Sequence, residues 1–500
     1  MSNFFNNYVA HGLEFISAVF VVLIGLGIVA VVIMFVLDST QSRDAVRHNF
    51  PVVGRLRYAF TRLGEFFRQY FFALDREEMP FNRAQREWIY RSSMGRDNTV
   101  AFGSTLSLTP VGTPIFINDE FPTLEDHASA PPAVTFGPDL PHPYECKSII
   151  NVSGMSFGAL SRPAVRALAR GAAKAGCYIN TGEGGLSPYH LEGGPDVVIQ
   201  IGTAKYGYRD AAGNFSFDIL KQKAANPQVK MIELKLSQGA KPGKGGLLPA
   251  DKVTAEIAEI RSIPEGVASV SPNRHVEVDS ASELLDFIGQ IRDATGKPTG
   301  FKTAVGAYEW LEDLCKEIVK RGASAAPDFI TIDGGEGGTG AAPMPLIDNV
   351  GLSIRESLPI VIDILTIAGL RDRIKVIASG KLVTPADVAW AYCAGADTVN
   401  SARGFMFSIG CIQAMRCNRN TCPTGITTHK KHLQDGLNPE EKSVRVQHFV
   451  ERMHKGVGII AHSCGVAHAR ALNRHHVRIV QPNGYSVPLS ELFPEQGQVS

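Results

Sequence analysis

The chain has 500 residues, of which 44% are hydrophobic, and its 50 Lys and Arg residues are balanced by 49 Asp and Glu residues. This is enough apolar material for one large core or two ordinary ones, so a disordered protein is not expected. A formal net charge of +1 gives no overall field that would attract nucleic acid, and we expect no nucleic-acid partner. The eight cysteines are scattered except for three within residues 411–422, which is unlike a disulfide framework and favours a reducing compartment.

An uncharged apolar stretch lies near the N-terminus. It covers residues 15–37, between Glu14 and Asp38, and at about 1.5 Å per residue it is long enough to cross a hydrocarbon core of roughly 30 Å. A buried core helix and a cleaved signal peptide are the alternatives, but the residues before the stretch include no Lys or Arg of the kind that opens a signal peptide. We therefore expect an N-terminal transmembrane anchor within residues 1–40.

Positive charge is concentrated after this stretch, whereas His11 is the only basic residue before it. By the positive-inside rule, the anchor should lie in the inner (cytoplasmic) membrane, with the large C-terminal part facing the cytoplasm. The arginines that follow the stretch are Arg43, Arg47, Arg55, Arg57, Arg62 and Arg68.

Residues 41–145 are predicted to form a lead-in to the main domain. Within it, residues 51–75 mix arginines with aromatic residues in a helix-compatible pattern. This pattern suits either an interfacial helix on anionic lipid or a helix packed on the rest of the protein. The remainder, residues 76–145, is rich in proline.

Beyond about residue 146, short β-rich runs alternate with helical stretches, which is typical of a parallel βα sheet. The strand ends are polar or glycine-rich and no GxGxxG follows the first strand, so a (β/α)8 TIM barrel of the α/β class fits better than an open doubly wound sheet. We expect this barrel at residues 146–430 and a C-terminal extension at 431–500. Seven strands are predicted, and the eighth is not placed: Ser148–Val152, Cys177–Asn180, Lys230–Leu236, Thr299–Thr303, Phe329–Ile332, Lys375–Ala378 and Thr398–Asn400. The predicted helices are Ser161–Ala175, Lys252–Arg261, Ser282–Thr295, Glu309–Arg321, Ser353–Leu370 and Pro385–Ala394.

Glycine-rich segments stand at three of the predicted strand ends, at residues 180–185, 239–246 and 334–340. Without side chains there, backbone N–H groups can approach a phosphate, a planar ring or a carboxylate. A nucleoside-triphosphate loop does not fit, because the spacing before Lys244 is one residue short and Gly245 stands where Ser or Thr is required.

The loops after the last two predicted strands, residues 379–381 and 401–404, are where barrels commonly hold phosphate. They indicate a phosphate-bearing cofactor. Lys302 ends another strand at the same mouth, where a cation could stabilise negative charge on a reduced flavin ring. A solvated strand end is the alternative for this lysine.

Three cysteines, Cys411, Cys417 and Cys422, follow the proposed phosphate loop, and the last precedes Pro423. Zinc sites usually have four ligands at shorter spacing, whereas three thiolates followed by proline suit an iron–sulfur cluster. A zinc site completed by His429 and a purely structural group of thiols are the alternatives.

Five motifs in this order resemble the FMN-binding synthase domain of glutamate synthases. They are residues 153–158 (SGMSFG), 180–185 (NTGEGG), 238–243 (QGAKPG), 333–343 (DGGEGGTGAAP) and the cysteine segment 411–422. The resemblance covers about residues 145–430 and is closest to stand-alone, single-domain members. It implies a (β/α)8 barrel that carries FMN and a 3Fe-4S cluster and reduces 2-iminoglutarate, formed from 2-oxoglutarate and ammonia, to L-glutamate.

The resemblance also implies roles for individual residues around the cofactors. Met155 and Ser156 would lie against the flavin, and Lys302 would face its pyrimidine side. The phosphate or ribityl chain would be held by Gly338, Thr339, Gly380 and Arg403. The cluster ligands would be Cys411, Cys417 and Cys422.

For the substrates, the resemblance places Gln238, Lys241 and Arg261 around the carboxylates of 2-oxoglutarate, where two cations suit a dianion. Glu183 would lie near the entry of ammonia and take a proton from ammonium before attack on the keto carbon. Lys241 and Glu183 are therefore the candidate catalytic residues.

Two departures from the family pattern leave the substrates open. Lys244 stands where glutamate synthases usually have Glu, which reverses a charge beside the substrate loop. The first cysteine is Cys146, so we expect no N-terminal cysteine nucleophile and no glutamine hydrolysis by this chain. Ammonia would then be free or come from a separate glutaminase, and electrons from a reductase, a ferredoxin or a membrane donor. The alternatives are an FMN enzyme acting on another amino or keto acid and a membrane-bound redox adaptor.

Overall fold

The computed structural model describes residues 2–41, 45–210 and 212–494. The chain divides into two compact units, Met1–Ala84 and Gln85–Ser500. Arg43, one of the arginines used to predict the orientation, lies outside the described residues.

The N-terminal unit is helical. Its helices cover Ser2–Thr40, Ala45–Asn49 and Val53–Phe67, and the last continues as a π-helical turn at Arg68–Phe72. Within the first helix, Ala10–Thr40 is long and apolar enough to cross a membrane, and its most apolar part is not buried. This agrees with the predicted span by length and composition only, so the transmembrane anchor stays a prediction.

Eight parallel strands close into a barrel in the C-terminal unit, which confirms the predicted (β/α)8 fold. In chain order they are Ile150–Val152, Ile179–Asn180, Val197–Ile201, Val229–Lys235, Thr299–Thr303, Phe329–Asp333, Lys375–Ser379 and Thr398–Ser401. The last strand pairs with the first, for example at Val399 and Ile150. The strand that the sequence left unplaced is the third, Val197–Ile201, in which every residue is buried.

The six predicted helices are all present; Glu309–Arg321 has the predicted bounds, and the others differ by a few residues at one or both ends. They are Arg162–Ala175, Ala255–Arg261, Ala281–Thr295, Glu309–Arg321, Ile354–Ile367 and Pro385–Cys393. Several begin at a Ser or Thr whose side chain accepts a hydrogen bond from a backbone N–H of the first turn, which stabilises the helix start. Further helices that were not predicted are Arg83–Ser93, Phe217–Ala224, Arg403–Ser408, Lys431–Gln434, Pro439–Ser463 and Leu489–Leu492.

The long helix Pro439–Ser463 belongs to the outer ring of the barrel. It packs against Arg162–Ala175 and Pro385–Cys393, the helices after the first and seventh strands. A Cβ on Gly171 would lie 2.4 Å from the Cβ of Val446, so the close approach of the first pair depends on glycine. Part of the segment predicted as a C-terminal extension therefore packs on the barrel.

A β-hairpin covers the amino-terminal end of the barrel. Its strands, Val134–Phe136 and Tyr144–Cys146, pair antiparallel and share an apolar cluster with Met231, Phe329 and Ile377 of the barrel strands. The predicted site residues stand at the opposite, carboxyl ends of the strands.

The smaller strands form two other antiparallel sheets. Pro114–Phe116, Val477–Val480 and Ser486–Pro488 join the lead-in to the C-terminal region. Leu247–Leu248 pairs with Ser269–Val270 in the loop after the fourth barrel strand.

Candidate active site

A buried carboxylate inside the barrel holds several strands together. Glu233, in the fourth strand, is 1% exposed. It accepts hydrogen bonds from Asn180 Nδ2 at 2.8 Å, Gln200 Nε2 at 2.7 Å and Thr331 Oγ1 at 2.7 Å. Because a buried carboxylate is tolerated when its oxygens are satisfied, this network fixes the second, third, fourth and sixth strands below the mouth of the barrel.

Glu183 and Lys235 form an ion pair at the mouth. Glu183 Oε2, after the second strand, lies 3.2 Å from Nζ of Lys235 at the end of the fourth strand. Burial alone would raise the pKa of Glu183, but Lys235, Lys241 and Arg261 lower it below its usual value. Glu183 is therefore an ionised carboxylate among three cations.

Lys241 is a buried cation in the glycine-rich loop after the fourth strand, with 4% of its surface exposed. Its Nζ donates to the carbonyl oxygen of Ala341 at 2.8 Å, and Thr339 Oγ1 donates to the same oxygen at 3.1 Å. Burial lowers the pKa of Lys241 to about 8, with Lys235 lowering it further and Glu183 raising it. An amine with a pKa in this range can both bind a carboxylate and exchange a proton near neutral pH.

Arg261 reaches the same region from the end of its helix. Its guanidinium lies 5.2 Å from the centre of the Tyr206 ring, and its Nη2 donates to the carbonyl oxygen of Phe157 at 3.3 Å. Burial lowers the pKa of Arg261, while Glu183 raises it. Its Nε has no hydrogen-bond partner within the described part of the chain. A buried donor of this kind is suited to an anionic ligand.

Gln238 connects the ion pair to the next glycine-rich loop. Its Oε1 accepts from Lys235 Nζ at 2.6 Å, and its Nε2 donates to the carbonyl oxygen of Gly338 at 3.2 Å. A Cβ on Gly239 would lie 1.7 Å from the carbonyl oxygen of Gly334. The two loops therefore lie directly on each other, which a side chain at position 239 would prevent.

Lys302 is a fixed cation of the mouth and not a solvated strand end. It is 7% exposed, and its Nζ lies 3.3 Å from Oδ2 of Asp333 at the end of the sixth strand. The same oxygen accepts from the backbone N–H of Gly239 at 2.9 Å. Burial would raise the pKa of Asp333, but Lys302 and these hydrogen bonds lower it.

Arg403 lies where the loops after the last three strands meet. Its Nη2 donates to the carbonyl oxygen of Glu336, and a Cβ on Gly338 would lie 3.0 Å from its Nε. Burial lowers the pKa of Arg403 to about 10. Gly380, with φ of 125°, lies close to Gly334: a Cβ on Gly380 would lie 2.8 Å from the backbone nitrogen of Gly334. A half-buried guanidinium beside glycine backbone fits a phosphate group.

Met155 and Ser156 lie against the glycines that flank Glu183. A Cβ on Gly182 would lie 2.7 Å from Ser156 N, and one on Gly184 would lie 2.9 Å from Ser156 Cβ. The segment predicted to face a flavin is therefore adjacent to the predicted substrate residues.

Lys252 and His429 tie the cysteine loop to the segment that follows Ser156. Lys252 is 1% exposed, and its Nζ donates to the carbonyl oxygens of Ala159 at 2.9 Å and Cys417 at 3.2 Å. His429 Nε2 lies 2.7 Å from the carbonyl oxygen of Gly158. Its Nε2 thus faces a carbonyl, and the zinc site completed by His429 stays an untested alternative.

The three cysteines share one loop, and none of them forms a disulfide. Burial raises the pKa of Cys411 to about 12 and also raises that of Cys417. Burial would raise the pKa of Cys422 as well, but hydrogen bonds with Thr424 and Thr427 lower it. Of the three thiols, Cys422 is therefore the one whose surroundings favour the ionised form.

The described residues include no group of three or more His, Cys, Asp or Glu side chains that could hold a metal ion. In a three-iron cluster each thiolate binds a different iron, so its ligands need not converge on one point. The donor set of three thiols fits such a cluster chemically. The cluster itself stays a prediction.

Lys244, where the sequence departs from the family pattern, is exposed. Its backbone N–H donates to the carbonyl oxygen of Lys241 at 3.3 Å. The reversed charge thus lies on the outside of the loop that carries Lys241.

Sequence reasoning missed Lys235, Lys252 and Glu233. Two of them had a signal, because Glu233 and Lys235 are charged residues two apart in a strand and so share one face. Charges on the inner face of an otherwise apolar strand indicate a buried network. Lys252 had no such signal, since its partners are backbone carbonyls distant in sequence.

Residues 116–467 match the family model described as the conserved region in glutamate synthase. The chain is 38% identical to the glutamate synthase large subunit-like protein YerD of Bacillus subtilis (strain 168), over 94% of this chain and 97% of that protein. It is 34% identical to the archaeal-type glutamate synthase (NADPH) of Thermotoga sp. (strain RQ2), over 68% of this chain and 64% of that protein, and so spans less than two thirds of its length. Among solved structures, mandelate oxidase with benzoyl-formic acid aligns at a TM-score of 0.45 and 14% identity, over 73% of this chain and 86% of that one. The chain therefore belongs to the glutamate synthase family of oxidoreductases.

Proposed function

We propose that this chain uses FMN to reduce 2-iminoglutarate, formed from 2-oxoglutarate and ammonia, to L-glutamate, with a 3Fe-4S cluster as its electron entry. One observation carries the proposal. The ionised Glu183 lies among Lys235, Lys241 and Arg261, next to the loops that meet at Arg403. A dicarboxylate, an ammonium ion and a phosphorylated cofactor would each find opposite charge at one barrel mouth.

The residues at the mouth fit FMN. Arg403 offers a half-buried cation and the glycine segments around Gly338 and Gly380 offer backbone without side chains, both suited to its phosphate. Lys302, fixed by Asp333, offers a cation for the ring. When bound, FMN would supply the hydride for the imine carbon, and the cluster would supply electrons one at a time.

Lys241 and Arg261 suit the two carboxylates of 2-oxoglutarate. Both are 4% exposed, and Arg261 has a buried donor without a partner among the described residues. In a site shielded from water, charge-assisted hydrogen bonds hold a carboxylate more strongly than they do at a surface. Gln238 would orient the keto acid from the side of the cofactor loop.

The lowered pKa of Glu183 assigns it an electrostatic role. A carboxylate with a lowered pKa is a poor base toward ammonium, but its negative charge attracts ammonium and stabilises a protonated imine. Lys241, with a pKa of about 8, suits the proton transfers better. Ammonia adds to the keto carbon, water leaves, and two electrons and two protons then convert the imine to the amine.

We also propose that Ala10–Thr40 anchors the enzyme in the cytoplasmic membrane with the barrel in the cytoplasm. The length, composition and exposed surface of this helix support the anchor, and the arginines after it support the orientation. Deleting residues 1–40 should leave the chain in the supernatant with its visible colour. A C-terminal reporter that reads as exported would contradict the orientation.

The proposed reaction is tested by supplying purified protein with reduced dye, 2-oxoglutarate and either ammonium or glutamine. We expect L-glutamate from ammonium, at high concentration, and none from glutamine. Glutamate from glutamine alone would overturn the proposed ammonia source. No glutamate from either would favour an FMN enzyme acting on another amino or keto acid, and flavin that cycles with no organic substrate would favour a redox adaptor.

A further inference from the structure

The helix that follows the apolar N-terminal helix carries large apolar side chains on its surface. Five of them recur every three or four residues along Val53–Phe67 and its π-helical continuation, so they lie on one face. Each is between 40% and 67% exposed. We name this face the apolar stripe, and its members are Leu56, Phe60, Leu63, Phe67 and Phe71.

Arginines border the apolar stripe on both sides. At about 100° per residue, Arg55 and Arg62 fall along one edge, and Arg57 and Arg68 fall along the other. The aromatic residues Phe66 and Tyr70 extend the stripe and are also at least 49% exposed. A broad apolar face with cations at both edges allows the rings to enter lipid while the guanidinium groups stay at the headgroups.

A buried aspartate fixes where this helix begins. Asp38, close to the end of the apolar helix, is fully buried and accepts from Arg47 Nη2 at 2.6 Å and Arg55 Nε at 2.7 Å. It also accepts from the backbone N–H of Val52 at 3.1 Å. A Cβ on Gly54 would lie 2.8 Å from the carbonyl oxygen of Val46, so the chain turns back tightly here.

We propose that the apolar stripe lies in the headgroup layer of an anionic bilayer, at the surface where Ala10–Thr40 leaves the membrane. The Asp38 contacts fix the start of the helix Val53–Phe67 at that surface, and the bordering arginines match anionic lipid. The inference rests on the proposed membrane anchor and not on the proposed reaction. Lipid is favoured as the occupant because the stripe lies on the next long helix after one that is itself able to span a membrane.

The test is hydroxyl-radical footprinting of the full chain in detergent, in nanodiscs of neutral lipid and in nanodiscs containing phosphatidylglycerol. Phe60, Leu63 and Phe67 should be labelled several-fold less in the anionic nanodiscs than in the neutral ones. Tyr485, which is 77% exposed in the barrel unit, should be labelled equally in all three samples.

Replacing Arg57, Arg62 and Arg68 by Gln should remove most of the extra protection in anionic nanodiscs. The matched control removes three exposed lysines of the barrel unit and should leave the protection unchanged. The control substitutions are Lys221→Gln, Lys316→Gln and Lys320→Gln.

Three outcomes would overturn the inference. Equal labelling of the stripe in all samples means that it does not enter lipid, and stronger labelling in the nanodiscs than in detergent means that only detergent covers it. Protection that is equal in neutral and anionic nanodiscs removes the role of the arginines. Ile24 separates this failure from failure of the anchor, because it should be protected in both kinds of nanodisc if Ala10–Thr40 spans the bilayer.

Discussion

Replacing Glu183 by Gln should shift the pH dependence of keto-acid use, because Glu183 raises the pKa of Lys241. In the native chain, burial lowers that pKa to about 8, and the carboxylate of Glu183 works against the shift. Removing the negative charge leaves Lys241 beside Lys235 with less compensation. The pKa of Lys241 should therefore fall below 8 in the variant.

The direction of the pH dependence follows from the charge of Lys241, which binds the substrate carboxylate. A protonated Lys241 attracts a carboxylate, so kcat/KM for 2-oxoglutarate should be full below pH 8 and fall as the pH rises through the pKa. Above that pKa, kcat/KM should fall by up to about tenfold for each pH unit, since the protonated fraction of Lys241 falls by that factor. In Glu183→Gln the same decline should begin at a lower pH.

The assay measures kcat/KM for 2-oxoglutarate between pH 6 and pH 10 at saturating ammonium, because this ratio reports the enzyme form that binds the keto acid. The matched control is Glu192→Gln, which removes a carboxylate paired with Arg166 and Arg170 on the outside of the barrel. It should reproduce the native profile. A flat native profile, or a profile of Glu183→Gln identical to the native one, would refute the assigned role of Lys241.

Three further predictions test other parts of the structure. Gly171→Ala should lower the free energy of unfolding by about 1–3 kcal/mol, measured by thermal or denaturant unfolding, because the new methyl group meets Val446. The control Gly289→Ala, in open space on another helix, should raise it by up to about 1 kcal/mol. Equal effects of the two substitutions would contradict the helix contact. Cys417→Ser should lower the iron content and leave most of the flavin, and unchanged iron, or zinc in both proteins, would exclude the cluster. Arg403→Met should weaken flavin retention at least several-fold on gel filtration, and full retention would place the phosphate elsewhere.

Much of the barrel could be predicted from sequence because its strands and helices differ in hydrophobic period. Glu309–Arg321, for example, has the predicted bounds, since its apolar residues recur at helical spacing and Gly322 follows it. The third strand, Val197–Ile201, was missed although it is no more buried than strands that were predicted, such as Thr299–Thr303 and Phe329–Asp333. The helix Pro439–Ser463 was not recognised as part of the ring, because its partners are far away in sequence.

In the candidate site, too, local motifs could be predicted from the sequence, whereas contacts between distant segments could not. Local motifs predicted Glu183, Lys241 and Gln238, and the structure brings them together through Lys235, which has contacts with two of them. Lys235 itself carried only the weak signal of a charge in an apolar strand. Ion pairs between separate loops depend on the closed barrel, so no spacing in the sequence encodes them.

The most direct measurement of the central claim is an anaerobic single turnover. The bound flavin is first reduced chemically, the excess reductant is removed, and the enzyme is mixed with 2-oxoglutarate, with ammonium, or with both. The proposed function predicts that the absorbance of oxidised flavin returns only with both substrates and that glutamate forms in equimolar amount. Reoxidation with neither substrate, or reoxidation with both but without glutamate, would contradict it.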